Sequence, residues 1–292
     1  MTEPAFAARR EQLGERGAVL VLLAHQDDEI AFAPIIALAR EQGRHVRVVY
    51  LTNGGARSQT PALRAAESAR ALVTLGVPQS EIRFLGTDLS IPDGELFRHF
   101  PAAYAALRDD CRGIRDIGVL LTLAWEGGHP DHDAVHVLAM KLARECGASD
   151  RTWQVPFYRA ADQGPPFFSM FAPLTCNGPV KAIPAARKSA LLRIRMIRFY
   201  PSQWRALAGL GPAILWHALI GTPAKVQKVQ VGRTLARPTP GPLLYERRNG
   251  ISFAEFAEHA NSFLGPGDPG GSTWTQRRPQ QSEMPYQHRE FL

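Results

Sequence analysis

Cysteine is scarce in this chain of 292 residues, and the three that occur, Cys111, Cys146 and Cys176, form no CxxC pair. An odd, widely spaced set argues against a disulfide framework and against a thiolate zinc site. The chain also lacks an uninterrupted apolar run of about 18 residues, so a membrane-spanning helix is not expected. Its charged N-terminus, MTEPAFAARREQLGERG, has no apolar signal-peptide core. We therefore expect a cytoplasmic protein.

Acidic residues are absent from one long stretch. Between Asp162 and Glu246 the chain has no Asp or Glu but eleven Lys and Arg residues. Residues 1–150 carry 20 acidic and 16 basic side chains, whereas residues 151–292 carry 7 and 18. The basic half is either a solvated face or a contact surface for an anionic substrate or a membrane, and both interpretations stay open.

Nucleic acid is not expected as a partner of the basic half. Binding of single strands needs aromatic side chains interleaved with cations as stacking platforms. Only Phe199, Tyr200 and Trp204 lie beside the cations in this way.

Short apolar runs alternate with helical patterns in the first half. The runs lie at 18–24, 46–51, 82–85 and 117–124, and the helical patterns at about 29–42, 62–75, 99–112 and 131–146. This order predicts an α/β fold with a Rossmann-like, mostly parallel sheet and helices on both faces. A fifth strand at 153–158 is expected at an edge, because Pro156 cannot donate a ladder hydrogen bond.

The pattern weakens beyond residue 160. We expect one α/β domain over residues 1–264, with its core at about 18–160 and a substrate-shaping part at about 161–264, followed by an extended or disordered tail at 265–292. A basic amphipathic helix is predicted at 185–200. The apolar stretch 207–220 contains Gly209, Gly211 and Pro212 and is expected to form a buried lid segment rather than to enter a membrane interface.

Two His/Asp clusters follow the first and fourth predicted strands. The first is HQDDE at 25–29, and the second is HPDHD at 129–133. Because ligands of open parallel sheets bind beyond the carboxyl ends of the strands, both clusters are expected at one crevice, together forming a metal site at the C-terminal ends of the strands. Carboxylates would repel a pyrophosphate there, whereas imidazole and carboxylate ligands suit Zn²⁺ or a neighbouring divalent transition metal. Taken singly, an aspartate such as Asp27 is more often a helix cap than a functional residue. His136 is a possible metal ligand but is expected to pack against the sheet.

The segments quoted next resemble those of a known family. AHQDDE at 24–29 is similar to the AHPDDE motif, and HPDHDAV at 129–135 to the second motif, of the PIG-L/LmbE-like zinc-dependent N-deacetylases. The resemblance continues through LTNGGARS and FLGTDLSIPDGEL and covers roughly residues 18–145. FYPSQW at 199–204 resembles a family segment near the active site.

The resemblance implies roles for eight residues. It makes His25, Asp28 and His132 the zinc ligands, and Asp27 the general base that takes a proton from the attacking water. His129 would support the oxyanion or protonate the leaving amine, Asp131 would orient it, and Arg64 and Asp93 would hold the sugar. We expect Asp27 to remain ionised beside the cation and His129 to be biased toward imidazolium.

Two positions depart from the family pattern. Gln26 replaces the usual proline, which leaves every ligand in place. Gly127 stands where some relatives have a tyrosine that supports the oxyanion, so another group must do so. The expected reaction is metal-dependent removal of an acetyl group from an acetamido sugar or a sugar-containing small molecule, anionic and lipid-linked forms included. A zinc amidase acting on another N-acyl or thiol-conjugate amide is the alternative.

Overall fold

A seven-stranded sheet forms the centre of the computed structural model, which describes residues 17–265 except 56–59, 115, 162–167, 184–186, 235 and 249. Five of its strands are parallel: β1 (Ala18–Leu23), β2 (Val46–Tyr50), β3 (Ile82–Arg83), β4 (Ile117–Leu123) and β5 (Thr152–Val155). β6 (Tyr158–Ala160) and β7 (Phe168–Met170) form a separate antiparallel pair. β8 (Val180–Ile183) and β9 (Ala224–Lys228) complete the large sheet in the order β3-β2-β1-β4-β5-β9-β8. The predicted α/β fold with a mostly parallel sheet is confirmed.

Helices surround this sheet. They are α1 (Glu29–Glu41), α2 (Pro61–Thr74), α3 (Leu85–Asp88), α4 (Phe100–Cys111), α5 (Pro130–Glu145), α6 (Arg187–Ile197), α7 (Trp204–Leu219), α8 (Val231–Thr234), α9 (Leu244–Arg248) and α10 (Phe253–Leu264). Short 3-10 turns occur at Gln79–Glu81, Leu96–His99, Ser149–Arg151, Thr175–Asn177 and Pro201–Gln203. Every residue of β1 and β4 is buried, as continuous apolar strands covered on both faces require.

The position of the fifth strand differs from the expectation. β5 is not an edge strand, because β9 pairs antiparallel with it on the side opposite β4. Pro156 follows the last residue of β5, Val155, and therefore removes no hydrogen bond from the ladder. The edges of the sheet are β3 and β8.

The apolar stretch 207–220 also differs from the expectation. It lies in α7, which continues through Pro212 as one helix. Ile214 and Ala218 are buried, but Leu215 and Leu219 are exposed, so this segment is not a buried lid. An amphipathic helix that packs one face on the protein still leaves the other toward solvent.

The ends of the chain and its cysteines complete the description. α10 ends at Leu264, the residue of the predicted domain boundary, and the tail predicted at 265–292 lies outside the described residues beyond Gly265. All three cysteines are free thiols. Within the described ranges, no helix combines the length and apolar character needed to cross a membrane. The single domain and the cytoplasmic location stay predictions.

Candidate metal centre

The two sequence clusters meet because the strands that carry them are neighbours. β1 pairs with β4, so the loop after β1 and the first turn of α5 lie at the same end of the sheet. One ligand atom each from His25, Asp28 and His132 lies within 4.8 Å of the other two. His132 Nε2 lies 3.1 Å from Asp28 Oδ1, and His25 Nδ1 lies 3.7 Å from Asp28 Oδ2. We call these three residues the metal triad.

The backbone of the first motif holds Asp28 in place. Asp28 Oδ2 accepts hydrogen bonds from the N–H groups of Ala24 at 3.0 Å and His25 at 2.7 Å. Asp27 has φ 140°, a conformation that non-glycine residues rarely adopt. Its N–H donates to Glu29 Oε2 at 2.9 Å, and Glu29 in turn accepts a hydrogen bond from the Tyr200 hydroxyl at 2.7 Å. Strain that the surroundings maintain in this way is typical of functional sites.

The metal triad has the chemistry of a divalent-cation site. Two imidazoles and one carboxylate match the three-ligand set of catalytic zinc sites, which leave a further coordination position open. His132 faces Asp28 through its Nε2, while its buried Nδ1 has no hydrogen-bond partner among the described residues. Burial opposes the charged forms, yet His132 and His25 hold the pKa of Asp28 well below its usual range, so this ligand is ionised.

A second set of candidate ligands shares His25 with the triad. One ligand atom each from His25, Asp93, His129 and Asp131 also lies within 4.8 Å of the others. Asp93 Oδ1 is 3.3 Å from Nε2 of both His25 and His129. Although burial acts in the opposite direction, Asp93, Asp131 and Asp28 raise the pKa of His25 well above its usual range. Without an ion, a proton on His25 supplies the positive charge that these carboxylates require.

Asp131 faces His25 more closely than it faces His129. Its Oδ2 lies 2.9 Å from His25 Nε2 but 3.8 Å from His129 Nδ1. The N–H groups of Gly94 and Leu96 donate to this carboxylate at 2.6 and 3.0 Å. The geometry therefore favours Asp131 as a group that orients the ligand His25, in addition to His129, which the resemblance assigns to it.

His129 differs from the expectation in its charge. Burial, helped by the nearby His25, lowers the pKa of His129 to about 4, so its ring is a neutral imidazole at pH 7 and the expected imidazolium is wrong. The N–H of Asp131 donates to His129 Nδ1 at 3.3 Å, which leaves the ring proton on Nε2. In this tautomer His129 is a hydrogen-bond donor rather than an acid.

Asp27 and Arg64 lie together beside the triad. Arg64 is 4% exposed, and its guanidinium donates to the carbonyl oxygens of Gln26, at 2.8 Å, and Gly54, while Nη2 lies 3.5 Å from Asp27 Oδ1. The geometry favours Arg64 as a group that positions the motif loop over one that contacts a sugar. Burial raises the pKa of Asp27 to about 7 against the opposing effect of Arg64. A divalent ion nearby acts in the same direction as Arg64 and favours the carboxylate.

Gln26 has its own contacts where the family has proline. Its Nε2 donates to the Thr52 carbonyl at 3.2 Å, and a Cβ on Gly54, which has φ 63°, would lie 1.9 Å from Gln26 Oε1. The side chain thus ties the first motif to the loop after β2. His136, the other weighed ligand, has Nδ1 2.9 Å from the Leu123 carbonyl oxygen and Nε2 2.9 Å from Thr234 Oγ1, which agrees with a packing role.

Aromatic residues after β5 form a wall that sequence reasoning missed. The Phe157 ring stacks on His132 with centroids 5.9 Å apart, and the Tyr158 ring meets His132 edge-on at 5.2 Å. Burial raises the pKa of Tyr158, and its hydroxyl also interacts electrostatically with His25, Asp28, Asp27 and Asp93, so it stays a neutral donor near the site. The QVPFY run at 154–158 was the sequence signal that could have found this wall.

The FYPSQW segment at 199–204 contacts the first motif, in agreement with the resemblance. The Tyr200 hydroxyl donates to Glu29, and the Ser202 N–H donates to Glu67 of α2 at 3.0 Å.

Glu126 is a buried carboxyl outside both ligand sets, and it predicts a pH dependence of stability. Its Oε1 accepts the N–H of Phe157 at 2.8 Å, and burial raises its pKa from 4.5 to about 7. The folded protein therefore binds this proton more tightly than the unfolded chain, so stability is lost as the pH rises through 7. We expect the metal-free Glu126→Gln variant to lack a component of up to about 3 kcal/mol between pH 4.5 and 7. Urea unfolding of both proteins across this range measures it; parallel curves would contradict the assignment.

The comparisons with known proteins concern the same region. Residues 20–143 match the model of the PIG-L family, described as GlcNAc-PI de-N-acetylase. This segment contains both motifs and all eight residues assigned above. Six of the eight lie in the motifs themselves, at 25–28 and 129–132. The match confirms the predicted family for this segment and the predicted kind of enzyme, a hydrolytic deacetylase. A search of curated proteins finds no match.

Solved structures with the same fold include three structures of deacetylases. The A40926 pseudoaglycone deacetylase Dbv21 is 20% identical with a TM-score of 0.56, and the match covers 77% of this chain and 100% of that one. A deacetylase–teicoplanin complex is 16% identical with a TM-score of 0.54, covering 73% and 98%. The zinc-inhibited form of teicoplanin deacetylase Orf2 is 17% identical with a TM-score of 0.54, covering 72% and 97%. At these identities the likeness shows the fold alone.

Proposed function

We propose that this chain, in which residues 20–143 form a PIG-L domain, hydrolyses the N-acetyl group of an acetamido sugar or a sugar-containing small molecule in a metal-dependent reaction. The observation that carries the proposal is the convergence of His25, Asp28 and His132 within 4.8 Å at the ends of β1 and β4. The strained Asp27 and the neutral His129 stand beside them, and together these groups supply the parts that amide hydrolysis needs.

The metal triad would hold a divalent ion, and Zn²⁺ fits its donor set best. When bound, such an ion polarises a carbonyl oxygen and lowers the pKa of water, which amides require because they are poor electrophiles. Asp131 keeps the ring of His25 oriented through its 2.9 Å contact with Nε2. A carboxylate that fixes a ligating imidazole in this way raises the precision of a metal site.

Asp27 would be the general base. Its carboxylate is adjacent to the ligand Asp28 and 21% exposed, so it could reach both the attacking water and a substrate that enters from solvent. After taking the proton of water it can return that proton to the departing nitrogen, which makes one residue the base and the acid in turn. Arg64 holds the carboxylate at 3.5 Å and restricts its orientation.

His129 and Tyr158 would support the oxyanion. His129 carries its ring proton on Nε2, the atom that points to Asp93 Oδ1 at 3.3 Å, and a neutral donor there can move to a developing negative charge. Tyr158 offers a second donor from β6, and its ring is fixed by His132 and by Phe157 at 5.1 Å. Tyr158 therefore replaces the tyrosine that some relatives carry at the position of Gly127.

Replacing Tyr158 with phenylalanine tests this assignment. The variant keeps the ring but loses the hydroxyl, and removal of one oxyanion donor lowers kcat by about 10²-fold. Metal content and KM should change little, because the phenol is in neither ligand set. Tyr104→Phe, at a buried tyrosine on α4 away from the motifs, is the matched control. A Tyr158→Phe variant with the kcat of the control would remove this residue from the mechanism.

Acetate release from a panel of substrates tests the reaction itself. We expect metal-dependent release from acetamido sugars, with faster release from anionic, nucleotide-linked or lipid-linked forms at low salt, because eleven cations and no acids lie between Asp162 and Glu246. Release only from other acylated amines or thiol-conjugate amides would instead establish the alternative amidase. No release from any acetamide by the metal-loaded protein would refute the proposal.

A further inference from the structure

Helix α7 exposes an apolar face that the proposed reaction does not use. Leu215, Trp216, Leu219 and Ile220 are 45%, 61%, 71% and 56% exposed. Their spacing places them on one side of the helix, and Ile214 and Ala218 are buried on the other. Trp204, at the start of α7, is 63% exposed and falls on the same side. We call these exposed residues the α7 face.

The α7 face is unusual for this chain. The described residues contain ten exposed large hydrophobics; five of them lie on α6 and α7, and a sixth, Ile220, directly follows α7. Among the described side chains of α7, every exposed one is apolar, and Arg205 is the only Lys, Arg, Asp or Glu in the sequence of the helix. A contiguous exposed apolar surface marks a contact site, since scattered hydrophobics alone carry no such meaning.

We propose that the α7 face docks the protein onto an anionic lipid bilayer. Tryptophan and leucine on one face of a surface helix insert at the boundary between headgroups and acyl chains, and tryptophan prefers this boundary. The two indoles of α7, Trp204 at its start and Trp216 in its last turn, lie about 18 Å apart for twelve residues and would hold α7 flat on the membrane. Pro212 lies inside α7 and does not change this, because the helix continues beyond it.

Charge selects the bilayer over a second copy of this chain. Arg195 is exposed on α6, which packs against α7, and Arg198 is exposed just beyond the end of α6. The whole stretch from 163 to 245 has no acidic residue. These cations attract anionic headgroups. In a two-fold dimer each surface meets its own copy, so cations would face cations without a carboxylate to pair them. A bilayer satisfies both the apolar face and the charge around it.

The α7 face is connected to the metal centre through packed side chains. Phe157 stacks on His132, Phe171 lies 5.9 Å from Phe157, and the His217 ring of α7 lies 5.4 Å from Phe171. The turn just before α7 is anchored at Ser202, which donates to Glu67 of α2. If the proposed function holds, docking would therefore bring the centre to substrates presented at the membrane surface, although docking itself does not depend on the reaction.

Vesicle co-sedimentation of the full chain tests the docking. We expect binding to phosphatidylcholine–phosphatidylglycerol vesicles that weakens with salt and is weak on phosphatidylcholine alone. Leu219→Glu should lower the partition coefficient by about tenfold or more, because it removes a leucine that would be buried in the bilayer and puts a charge in its place. Val73→Glu likewise replaces an exposed apolar residue with glutamate, at a 48% exposed valine on α2, and this control should bind vesicles like the wild type. In Trp216→Phe, quenching of tryptophan fluorescence by brominated lipid should fall.

Three results would overturn the docking. They are absence of vesicle binding by the wild type, equal binding of Leu219→Glu and Val73→Glu, and a wild-type dimer that Leu219→Glu dissociates without any vesicle binding, which would assign the face to a second copy. Because the assay contains no substrate, its failure leaves the proposed hydrolysis untouched. Conversely, absence of acetate release from a water-soluble acetamide would leave the docking untouched.

Discussion

Replacing Asp27 with alanine is expected to lower the rate of hydrolysis by about 10²-fold or more, the scale of general-base contributions, while metal remains stoichiometric. Asp27 belongs to neither set of candidate ligands, so its loss leaves the donors of the ion in place. The measurements are acetate release and metal content of the same preparation. Full activity in the variant would reassign the base, and loss of metal would make Asp27 a ligand.

Asp27→Gly separates the catalytic role of this position from its effect on stability. The backbone of Asp27 has φ 140°, which glycine adopts without strain. Relief of that strain, about 1–3 kcal/mol, exceeds the entropic cost of glycine, about 0.5–1 kcal/mol. We therefore expect a variant as inactive as Asp27→Ala and about 1 kcal/mol more stable than it. A glycine variant less stable than the alanine variant would show that the strain is not released there.

Replacing His132 with glutamine is expected to weaken metal binding by about 10²-fold or more and to lower hydrolysis with it. Structural zinc sites bind with about 10–16 kcal/mol spread over four ligands, so the loss of one ligand costs about 10²-fold in affinity or more. The pKa of Asp28 should rise in the variant, because His132 is the group that lowers it most. Metal titration of the purified variant gives the affinity directly.

His136→Gln is the matched control for that experiment. Both histidines are buried on α5, one turn apart, but His136 is paired with Leu123 and Thr234, whereas the Nδ1 of His132 has no partner among the described residues. The control variant should bind metal like the wild type even if its stability falls. Equal loss of metal in both variants would indicate general damage to α5 rather than removal of a ligand.

The sheet and the meeting of the two motifs could be predicted because both follow from local patterns. Continuous apolar runs at 18–24 and 117–124 indicated strands buried on both faces, and β1 and β4 are such strands. Polar residues directly after them must then lie at one end of the sheet, which is where the metal triad forms. The family resemblance supplied roles for these residues, and the family match covers the same segment.

The features that escaped prediction depend on distant contacts. β9 completes the sheet beside β5 although about 70 residues separate them, and nothing near Pro156 indicates this pairing. The neutral state of His129 arises from its burial beside His25, more than a hundred residues away in sequence. Exposure of α7 could not be read from its composition, because the same leucines and tryptophans are found in buried helices.

Anomalous diffraction from crystals of the zinc-loaded protein tests the central claim most directly. The account predicts one peak about 2.0–2.2 Å from a nitrogen of His25, a nitrogen of His132 and an oxygen of Asp28. A peak held instead by Asp93, His129 and Asp131, without Asp28 and His132, would contradict it.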